Sequence, residues 1–399
     1  MKNILIIGDG IIGMLSAIVL SSIYKNIYLV KSSKKKHYAS KVDRFFSINL
    51  LSQYFFMKNN IWEDIIASNP RPYNKIITWD DKIEDSLLFE SSSISYDSLG
   101  YIVKETSIIN SLLKRLANIK NVMSIEDINI KEIHDNNGTH AMILLNGESI
   151  DLDLILKSDK SMDILLSSDS FKSNTVDYNQ HALVVDLFID KNSIQNIAYQ
   201  KFLEGQIMGL LPISNNQYNL IWSVNNNILD DLKNDNDAKI LSILNSHLSE
   251  KIGTIKNISN RIIFPLLGFH VESYVKNNIL VIGGAAHSVH PMAGLGLNMG
   301  IQDIFLLENS FLKIDTDEYD ITQVLKNFNR SCIEENKKTY NTINFLKKFY
   351  SDKLIPDFFR SKSLSLFNKN IYLKNKVIES ATGIDVLKRR SVGKYCYSN

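Results

Sequence analysis

Three glycines near the start of the chain have the spacing of a phosphate-binding loop. Gly8, Gly10 and Gly13 match the pattern G-x-G-x-x-G and follow an apolar run, Asn3 to Ile7, that predicts a buried parallel strand. The first glycine of such a loop permits a tight turn, the second lets a pyrophosphate approach the backbone, and the third lets the helix pack on the strand. The spacing predicts a dinucleotide site; the alternative is a glycine-rich turn that binds no nucleotide.

The acidic residue that usually completes such a site is absent. It is expected about 20 residues further on, at the end of the second strand, where it holds the ribose hydroxyls. The predicted second strand, Ile27 to Val30, is followed instead by Lys31, Ser32 and Ser33. A serine hydroxyl can replace part of this contact, but the missing carboxylate weakens the prediction.

A second glycine-rich loop, Gly283 to Asn298, follows the apolar run Asn278 to Ile282 and opens a helix. Gly294 and Gly296 remove side chains where a flat ring can lie against the backbone. The N–H groups at the start of the helix favour a negatively charged ligand.

Two histidines in the second loop, His287 and His290, have a spacing that also occurs in metal sites. No carboxylate or cysteine cluster joins them in the sequence, although Asp303 lies just beyond the loop. We therefore favour a pair of loop histidines bonded to the backbone over a pair of ligands, and we predict no metal.

The elements that position the two loops indicate an α/β protein. After the βαβ unit that carries the first loop, a helix is predicted around Ser107 to Leu116. Turn signals at Asn137-Gly138 and Asn146-Gly147 predict an antiparallel meander that ends in Leu152 to Leu156. Further strands are predicted between His181 and Ser223.

Composition excludes several classes of protein. The 399 residues are 44% hydrophobic and 22% charged, and a net charge of +2 gives no reason to expect a nucleic-acid partner. Cys332 and Cys396 lack metal or redox spacing, which suits a reducing cytoplasm. Glycines interrupt the apolar stretch Ile4 to Tyr24, so it predicts strand, turn and buried helix rather than a signal peptide or membrane anchor. We expect a soluble or peripheral protein.

The two loops resemble those of flavin-dependent aromatic hydroxylases of the p-hydroxybenzoate hydroxylase fold. The likeness is greatest to the ubiquinone-biosynthesis hydroxylases, which act on polyprenylated phenols, and its most specific part is His290 to Asn298. Similar segments cover nearly the whole chain: Asp43-Arg44, Ile61-Trp62, Leu99 to Val103, Ala198 to Phe202, Leu211 to Ile213, Ile221 to Ser223 and Phe264 to Leu266.

The resemblance implies an α/β fold with a Rossmann-like FAD-binding domain interleaved with a mixed β-sheet substrate domain, followed by a C-terminal helical segment. The implied FAD-binding domain comprises residues 1–70, 100–175 and 276–330. The implied substrate domain comprises residues 71–99 and 176–275, and the helical region comprises residues 331–399.

The resemblance also implies the cofactors and their contacts. FAD is the bound cofactor, and NAD(P)H is the electron donor for a reaction with O2. The FAD-binding candidates are Gly8, Gly10, Gly13, Arg44, Gly284, Ala285, Gly294, Gly296, Leu297 and Asn298. His290 and Pro291 are candidates for flanking the flavin ring in a positioning role, and the sequence offers no catalytic triad.

Three features depart from the family pattern. Gly284 stands where the family has Asp or Asn bonded to the ribityl chain. The middle motif of the family, Asp-Gly followed by Ser and Arg, is represented by Ser158-Asp159-Lys160-Ser161, without the glycine or the arginine. Together with Lys31, these changes are compatible with a weakened or lost cofactor site.

The C-terminal part is helical from about Asn327, and it is basic and aromatic. Between Lys347 and Asn399 there are twelve basic and four acidic residues, interleaved with aromatic side chains. The pattern predicts either a surface that docks on the inner face of an anionic cytoplasmic membrane or basic solvated helices with aromatic residues in the core.

Three functions are compatible with the sequence. The favoured one is hydroxylation of a polyprenylated phenol in ubiquinone biosynthesis. The others are a flavin monooxygenase that acts on a soluble aromatic, and a catalytically impaired subunit with a flavoprotein fold in a biosynthetic complex. The ring position, the prenyl length, the choice between NADH and NADPH and the oligomeric state stay open.

Overall fold

The computed structural model describes residues 1–33, 43–81, 83–136, 139–160, 171–190, 195–291, 294–313, 320–351 and 357–390. The strands are β1 (Asn3–Ile7), β2 (Asn26–Lys31), β3 (Phe45–Asn49), β4 (Arg71–Tyr73), β5 (Lys75–Asp80), β6 (Ile83–Glu90), β7 (Gly100–Lys104), β8 (Val122–Glu126), β9 (Ile130–Asn136), β10 (Thr139–Leu144), β11 (Ser149–Leu152), β12 (Leu154–Lys157), β13 (Ser173–Ile189), β14 (Ile197–Leu203), β15 (Gln206–Ser214), β16 (Gln217–Asn225), β17 (Ile255–Ile258), β18 (Ile262–Val271), β19 (Val275–Lys276), β20 (Ile279–Val281) and β21 (His287–Ser288). The helices are α1 (Ile11–Leu20), α2 (Leu50–Lys58), α3 (Trp62–Ile66), α4 (Glu105–Leu116), α5 (Asn226–Asn234), α6 (Asp237–Ile252), α7 (Gly296–Leu312), α8 (Ile321–Ser351), α9 (Asp357–Lys369), α10 (Ile371–Thr382) and α11 (Ile384–Arg390).

The Rossmann-like sheet has the strand order β19-β20-β12-β1-β2-β8. All neighbouring strands are parallel except the β19–β20 pair. The residues of β12 and the last four of β1 are buried, as expected for central strands covered on both faces. Helix α1 is likewise buried along nearly its whole length, so the predicted strand, turn and buried helix in Ile4 to Tyr24 are confirmed.

The second large sheet is mixed. Its path is β21-β18-β13-β16-β15-β14-β5-β6, with β17 paired to β13, and β14 and β5 are its parallel neighbours. Helices α5 and α6 cover one face through a core that includes Leu220, Trp222 and Leu244. Strands of the two large sheets alternate along the chain, so the interleaved α/β fold is confirmed. The predicted domain boundaries stay a prediction.

The predicted antiparallel meander is correct only in part. Strands β9, β10 and β11 form it, but it ends at Leu152, and Leu154–Lys157 pairs in parallel with β1 and β20. Asp153 separates the two strands, and its carboxylate accepts the backbone N–H groups of Lys2 and Asn3 at 2.6 and 3.0 Å. The apolar run alone does not reveal this change of sheet. The turn at Asn146-Gly147 joins β10 to β11, whereas Asn137-Gly138 lies outside the described residues.

The C-terminal helices pack against both sheets. Helix α8 begins at Ile321, six residues before the predicted helical region, and packs along α7. The side-chain amide of Asn368 in α9 donates to the carbonyl oxygen of Ser86 in β6 at 3.0 Å. No helix in the described part of the chain is both long enough and apolar enough to cross a membrane.

Helix α11 is joined to α8 by a buried ion cluster. The carboxylate of Glu335 is 3% exposed and accepts two bonds from Arg389, at 2.8 and 3.0 Å, and further bonds from Arg390. Burial alone raises the pKa of Glu335, but the two guanidinium groups outweigh it and the net pKa lies below its usual range. A depressed pKa in the folded state means that the cluster stabilises the fold above the unfolded pKa and loses this contribution as pH falls.

We expect Glu335→Gln to lower the free energy of unfolding by about 1 to 3 kcal/mol at pH 7, because two guanidinium groups lose their charged partner. This expected loss is smaller than that for a fully buried ion pair, because the side chain of Arg389 is 40% exposed. The difference from wild type should shrink as pH falls below about 4.3, the usual value for a glutamate. Denaturant unfolding at several pH values measures it, with Glu250→Gln, whose carboxylate is 90% exposed, as control. A difference that does not depend on pH would contradict this role for Glu335.

Candidate functional site

The first glycine loop joins β1 to α1, and two of its glycines are required by packing. Gly8 has φ 123°, and a Cβ on Gly13 would collide with the carbonyl oxygen of Gly8. A Cβ on Gly10 would meet no atom within 4 Å. Gly10 is the N-cap of α1 and provides no side-chain cap, so the first N–H groups of the helix remain available beside this open space.

The second glycine loop is built in the same way and lies against the first. Gly294 has φ 60°, and a Cβ on Gly296, the first residue of α7, would meet no atom within 4 Å. A Cβ on Gly300 would lie 2.8 Å from Cδ1 of Ile12, and one on Gly283 would lie 3.1 Å from Cγ2 of the same side chain. The start of α7 therefore passes close to the start of α1, and the two open glycines belong to neighbouring helix N-termini.

Ser158, in the altered middle motif, lies close to both glycine loops. Its hydroxyl oxygen is 2.5 Å from the position of a Cβ on Gly8, and its carbonyl oxygen is 3.5 Å from that of a Cβ on Gly284. The backbone N–H of Ser158 donates to the carbonyl oxygen of Ile7 at 3.0 Å. The ammonium of Lys160 lies 3.2 Å from the ring centre of Phe269, and Ser161 is outside the described residues.

Asn298 joins the second loop to β3 and α2. Its amide nitrogen donates to the carbonyl oxygens of Ser47 and Gly294 at 2.7 and 3.2 Å. Its oxygen accepts from the backbone N–H of Asn49 and from the hydroxyl of Ser52 at 3.0 and 2.8 Å. All four hydrogen bonds are internal, so this candidate FAD ligand has a structural role that the sequence did not reveal.

Asp303 is fully buried and holds the other end of the second loop. One carboxylate oxygen accepts the backbone N–H of Gly283 at 2.9 Å and lies 2.7 Å from Nε2 of His287. The other accepts from the amide of Asn336 at 2.6 Å and lies 3.8 Å from the thiol of Cys332. The carboxylate thus connects the loop to α8.

The hydrogen bonds continue from α8 to β18. The amide of Asn336 also donates to the hydroxyl of Tyr274 at 2.7 Å, and this hydroxyl lies 3.0 Å from Nε2 of His270. Burial and then the nearby His287 lower the pKa of His270 to about 4. Burial, with the charge of Asp303, raises the pKa of Tyr274 and that of the Cys332 thiol well above their usual values. His270 is therefore neutral at pH 7, and Tyr274 and Cys332 keep their protons.

The prediction that the loop histidines bond to the backbone is wrong for His287, which bonds to the Asp303 carboxylate. The ring of His290 bonds to the side-chain amide oxygen of Gln180 at 3.2 Å and packs edge-to-face on Tyr178. The sequence hid these contacts because the partners lie 16 and 110 residues away. Among the described residues, no group of three His, Cys, Asp or Glu side chains is arranged to hold a metal ion.

The structure brings most of the predicted site residues together. Ala285 is buried in a short turn directly after β20, Leu297 lies in the first turn of α7, and Pro291 is half-buried beside His290. Arg44 is the exception: its guanidinium bonds to Glu105 at 3.2 Å and lies 5.4 Å from the ring centre of Phe46. Arg44 therefore takes no part in the described bonds that join the two loops.

The end of β2 has no acidic side chain, but one acid ends the neighbouring strand β8 and another follows it. Lys31 is exposed and stands opposite Glu126 at the end of β8. The carboxylate of Asp127 accepts the backbone N–H of Ser33 at 2.8 Å and so fixes the chain just after β2. A surface hollow of about 580 Å³ near Leu232 and Arg261 belongs to the α5–α6 side of the mixed sheet and includes neither loop.

Comparisons with known proteins agree with this geometry. A family model described as an FAD binding domain matches residues 158–318. Ubiquinone biosynthesis monooxygenase COQ6 of Dictyostelium discoideum is 26% identical, over 97% of this chain and 92% of that protein. The 3-demethoxyubiquinol 3-hydroxylase of Escherichia coli is 21% identical, over 96% of this chain and 98% of that protein.

Solved structures share the fold. The p-nitrophenol 4-monooxygenase PnpA of Pseudomonas putida has a TM-score of 0.73 at 11% identity, over 99% of this chain and all of that chain. HpxO of Klebsiella pneumoniae, complexed with FAD and uric acid, has a TM-score of 0.69 at 14% identity, over 98% of both chains. Fold and site define an FAD-binding flavoprotein monooxygenase. Over nearly its whole length the chain is similar to the FAD-dependent hydroxylases of ubiquinone biosynthesis.

We expect Asp303→Asn to lower the free energy of unfolding of the flavin-free protein by about 2 to 4 kcal/mol. An amide nitrogen cannot accept a hydrogen bond, so a buried donor on Gly283, His287 or Asn336 loses its partner. Denaturant unfolding measures the change, and the exposed Asp151→Asn is the control. A loss of less than about 0.5 kcal/mol, the range of ordinary surface substitutions, would contradict the role assigned to this carboxylate.

Proposed function

We propose that the protein hydroxylates the ring of a polyprenylated phenol, with NAD(P)H as electron donor and O2 as co-substrate. The observation that carries the proposal is the pair of neighbouring helix N-termini. Gly10 caps the first helix and Gly296 begins the second, and each glycine has open space beside it. This arrangement fits a long cofactor with a pyrophosphate in its middle and a flat ring at one end.

The residues present fit FAD. The first N–H groups of α1 would hold the pyrophosphate beside Gly10, where no side chain intervenes. The N-terminus of α7 would face negative charge on the ring system, and Gly296 leaves room for the ring to approach. When bound, FAD supplies the transfer of electrons from NAD(P)H and the activation of oxygen. The protein supplies the binding and the orientation of cofactor and substrate.

His290 and Tyr178 would position the ring of the substrate or of the cofactor. The His290 side chain is completely buried, bonded to Gln180 and packed on Tyr178, so its orientation is fixed. Burial, with a smaller effect from Tyr340, raises the pKa of Tyr178 to about 12, so its hydroxyl stays protonated at neutral pH. The pair can orient a ring and exclude water without taking part in proton transfer.

An apolar cluster beside the second loop supports an apolar substrate. Val289 and Leu295 of the loop pack with Leu87, Phe202 and Ile207 of the mixed sheet. Leu364 and Phe367 of α9 complete the same cluster. A prenylated ring can replace such contacts with its own apolar surface, which offsets the cost of leaving lipid.

The first test is the visible absorption spectrum of protein purified without added cofactor, followed by release and identification of any flavin. We expect one FAD per chain, and then oxidation of NAD(P)H that a polyprenylated phenol stimulates, with a hydroxylated product detected by mass spectrometry. A folded protein that also fails to take up added FAD would refute the proposal and favour the impaired subunit of a biosynthetic complex. Turnover of soluble phenols alone would favour the second alternative.

We expect Gly10→Ala and Gly296→Ala to weaken FAD binding at least about tenfold, because each Cβ fills space that the cofactor needs. Neither glycine has a positive φ, so the stability of the flavin-free protein should change by less than about 1 kcal/mol. Fluorescence titration with FAD measures the affinity. Gly209→Ala in β15, where the nearest atom to a Cβ lies 3.8 Å away, is the matched control. Unchanged affinity in both variants would show that FAD does not lie against these helix starts.

The proposal includes a peripheral location on the inner face of a cytoplasmic membrane, since a long prenyl tail partitions into lipid. Membership of a ubiquinone-biosynthesis complex stays a prediction from the resemblance. The C-terminal helices are the part of the chain that bears on the membrane contact.

A further inference from the structure

Helix α10 presents apolar side chains to solvent. Ile371 and Tyr372 are 67% and 66% exposed, and Leu373 and Val377 are also exposed. Leu373 and Val377 are four residues apart and form one row on the helix surface, and Tyr372 starts the row next to it. Lys376 lies on the same face, with its ammonium 5.7 Å from the ring centre of Tyr372. We call these four residues, Tyr372, Leu373, Lys376 and Val377, the outer face of α10.

The opposite face of α10 is anchored, so the exposure is a fixed property of the fold. Ile378 and Thr382 are buried, and the amide of Asn375 donates to the carbonyl oxygen of Ser93 at 3.0 Å. The helix ends at Gly383, where φ is 76° and a Cβ would lie 2.6 Å from Cβ of Leu51 in α2. An ordinary surface helix buries its apolar face, whereas α10 keeps several apolar side chains on the side away from its anchors.

Basic residues outnumber acidic ones around the outer face. Lys369 stands just before the helix, and Lys388 follows in α11. Glu379 is the nearby acid on α10, and its carboxylate is held by Lys376 at 3.2 Å and by Lys388 at 2.7 Å. Mixed apolar and lysine side chains around an interfacial tyrosine are typical of helices that lie on anionic lipid, with the lysine stems extended toward the headgroups.

We propose that the outer face of α10 lies on an anionic lipid surface, with Tyr372 and Leu373 in the headgroup region and Lys369 and Lys376 at the phosphates. A second copy of the chain is a poorer partner, because a two-fold contact through this face would bring lysines against lysines. The inference gives a location to the membrane contact of the proposed function, but it concerns lipid binding and does not require turnover.

The lipid-binding face is joined to the cofactor site by a short path. The side-chain amide of Asn49 donates to the carbonyl oxygen of Ala381 at 3.2 Å, and the backbone N–H of Asn49 donates to Asn298 at 3.0 Å. The last turn of α10 is therefore held by the same residue that holds the start of α7. A protein docked through α10 keeps its second glycine loop at a fixed position relative to the lipid.

The test is flotation of the full-length protein with phosphatidylcholine vesicles, with and without phosphatidylglycerol. We expect binding to the anionic vesicles, a loss of about tenfold in Tyr372→Gln/Leu373→Gln from lost apolar contact, and about fivefold or more in Lys369→Glu. The matched controls are Ile128→Gln/Leu145→Gln, with side chains 59% and 65% exposed elsewhere on the surface, and Lys131→Glu. The controls should bind like wild type.

Equal vesicle binding by wild type and the α10 variants would overturn the inference, as would equal binding to neutral and anionic vesicles. Light scattering of the same samples tests whether a second copy of the chain covers this face instead. A wild-type dimer that dissociates in Tyr372→Gln/Leu373→Gln would make the face a dimer interface and would also overturn the inference. Flavin content is measured in each sample. Vesicle binding without flavin would leave the inference standing while the hydroxylase proposal fails, and flavin without vesicle binding would show the reverse.

Discussion

The buried carboxylate of Asp303 is the constraint on which the second loop depends. A carboxylate with no exposure to water is costly unless each oxygen is bonded, and here both oxygens accept from fixed donors. Two of those donors, Gly283 and His287, belong to the loop, and the third, Asn336, belongs to α8. The loop can change this conformation only if the charge of Asp303 becomes exposed to water or loses its hydrogen-bond donors. The first part of the loop, from Gly283 to His287, is therefore shaped before any cofactor binds.

Helix α7 connects the second loop to two other parts of the structure. Asp303 connects it to α8 and, through Asn336 and Tyr274, to β18 of the mixed sheet. Asn298, one turn earlier, connects it to β3 and α2. The close passage of Gly300 over Ile12 then brings α7 against α1. The two large sheets consequently meet at the start of α7. In the proposed function, the cofactor on the Rossmann-like side and the substrate on the side of the mixed sheet meet at the same place.

Local patterns made the two loops predictable, and distant contacts made their chemistry hard to predict. Short apolar runs followed by glycines at fixed spacing predicted β1 with α1 and β20 with α7, since each signal lies within about twenty residues. The bonding of His287 was mispredicted because Asp303 lies a full loop and two helical turns away. Gln180, the partner of His290, lies 110 residues earlier in the chain, in β13 of the mixed sheet. The change of sheet at Asp153 was missed because it depends on the N-terminal residues of the chain.

The altered positions act on side-chain contacts and leave the backbone of the site intact. By the resemblance, Lys31 and Gly284 replace residues that hold the ribose and the ribityl chain, and Ser158-Asp159-Lys160-Ser161 lacks the glycine and the arginine of the family's middle motif. The N–H groups at the starts of α1 and α7 nevertheless belong to the main chain. No substitution at those three positions removes a main-chain donor, and Ser158 even packs under Gly8 where the loop turns. A side-chain hydrogen bond contributes about 0.5 to 1.5 kcal/mol to binding. The loss of two or three such bonds therefore weakens the binding of a cofactor that has many other contacts, but does not abolish it. We therefore expect weaker binding of the ribityl and ribose groups of FAD and unchanged binding of its phosphates.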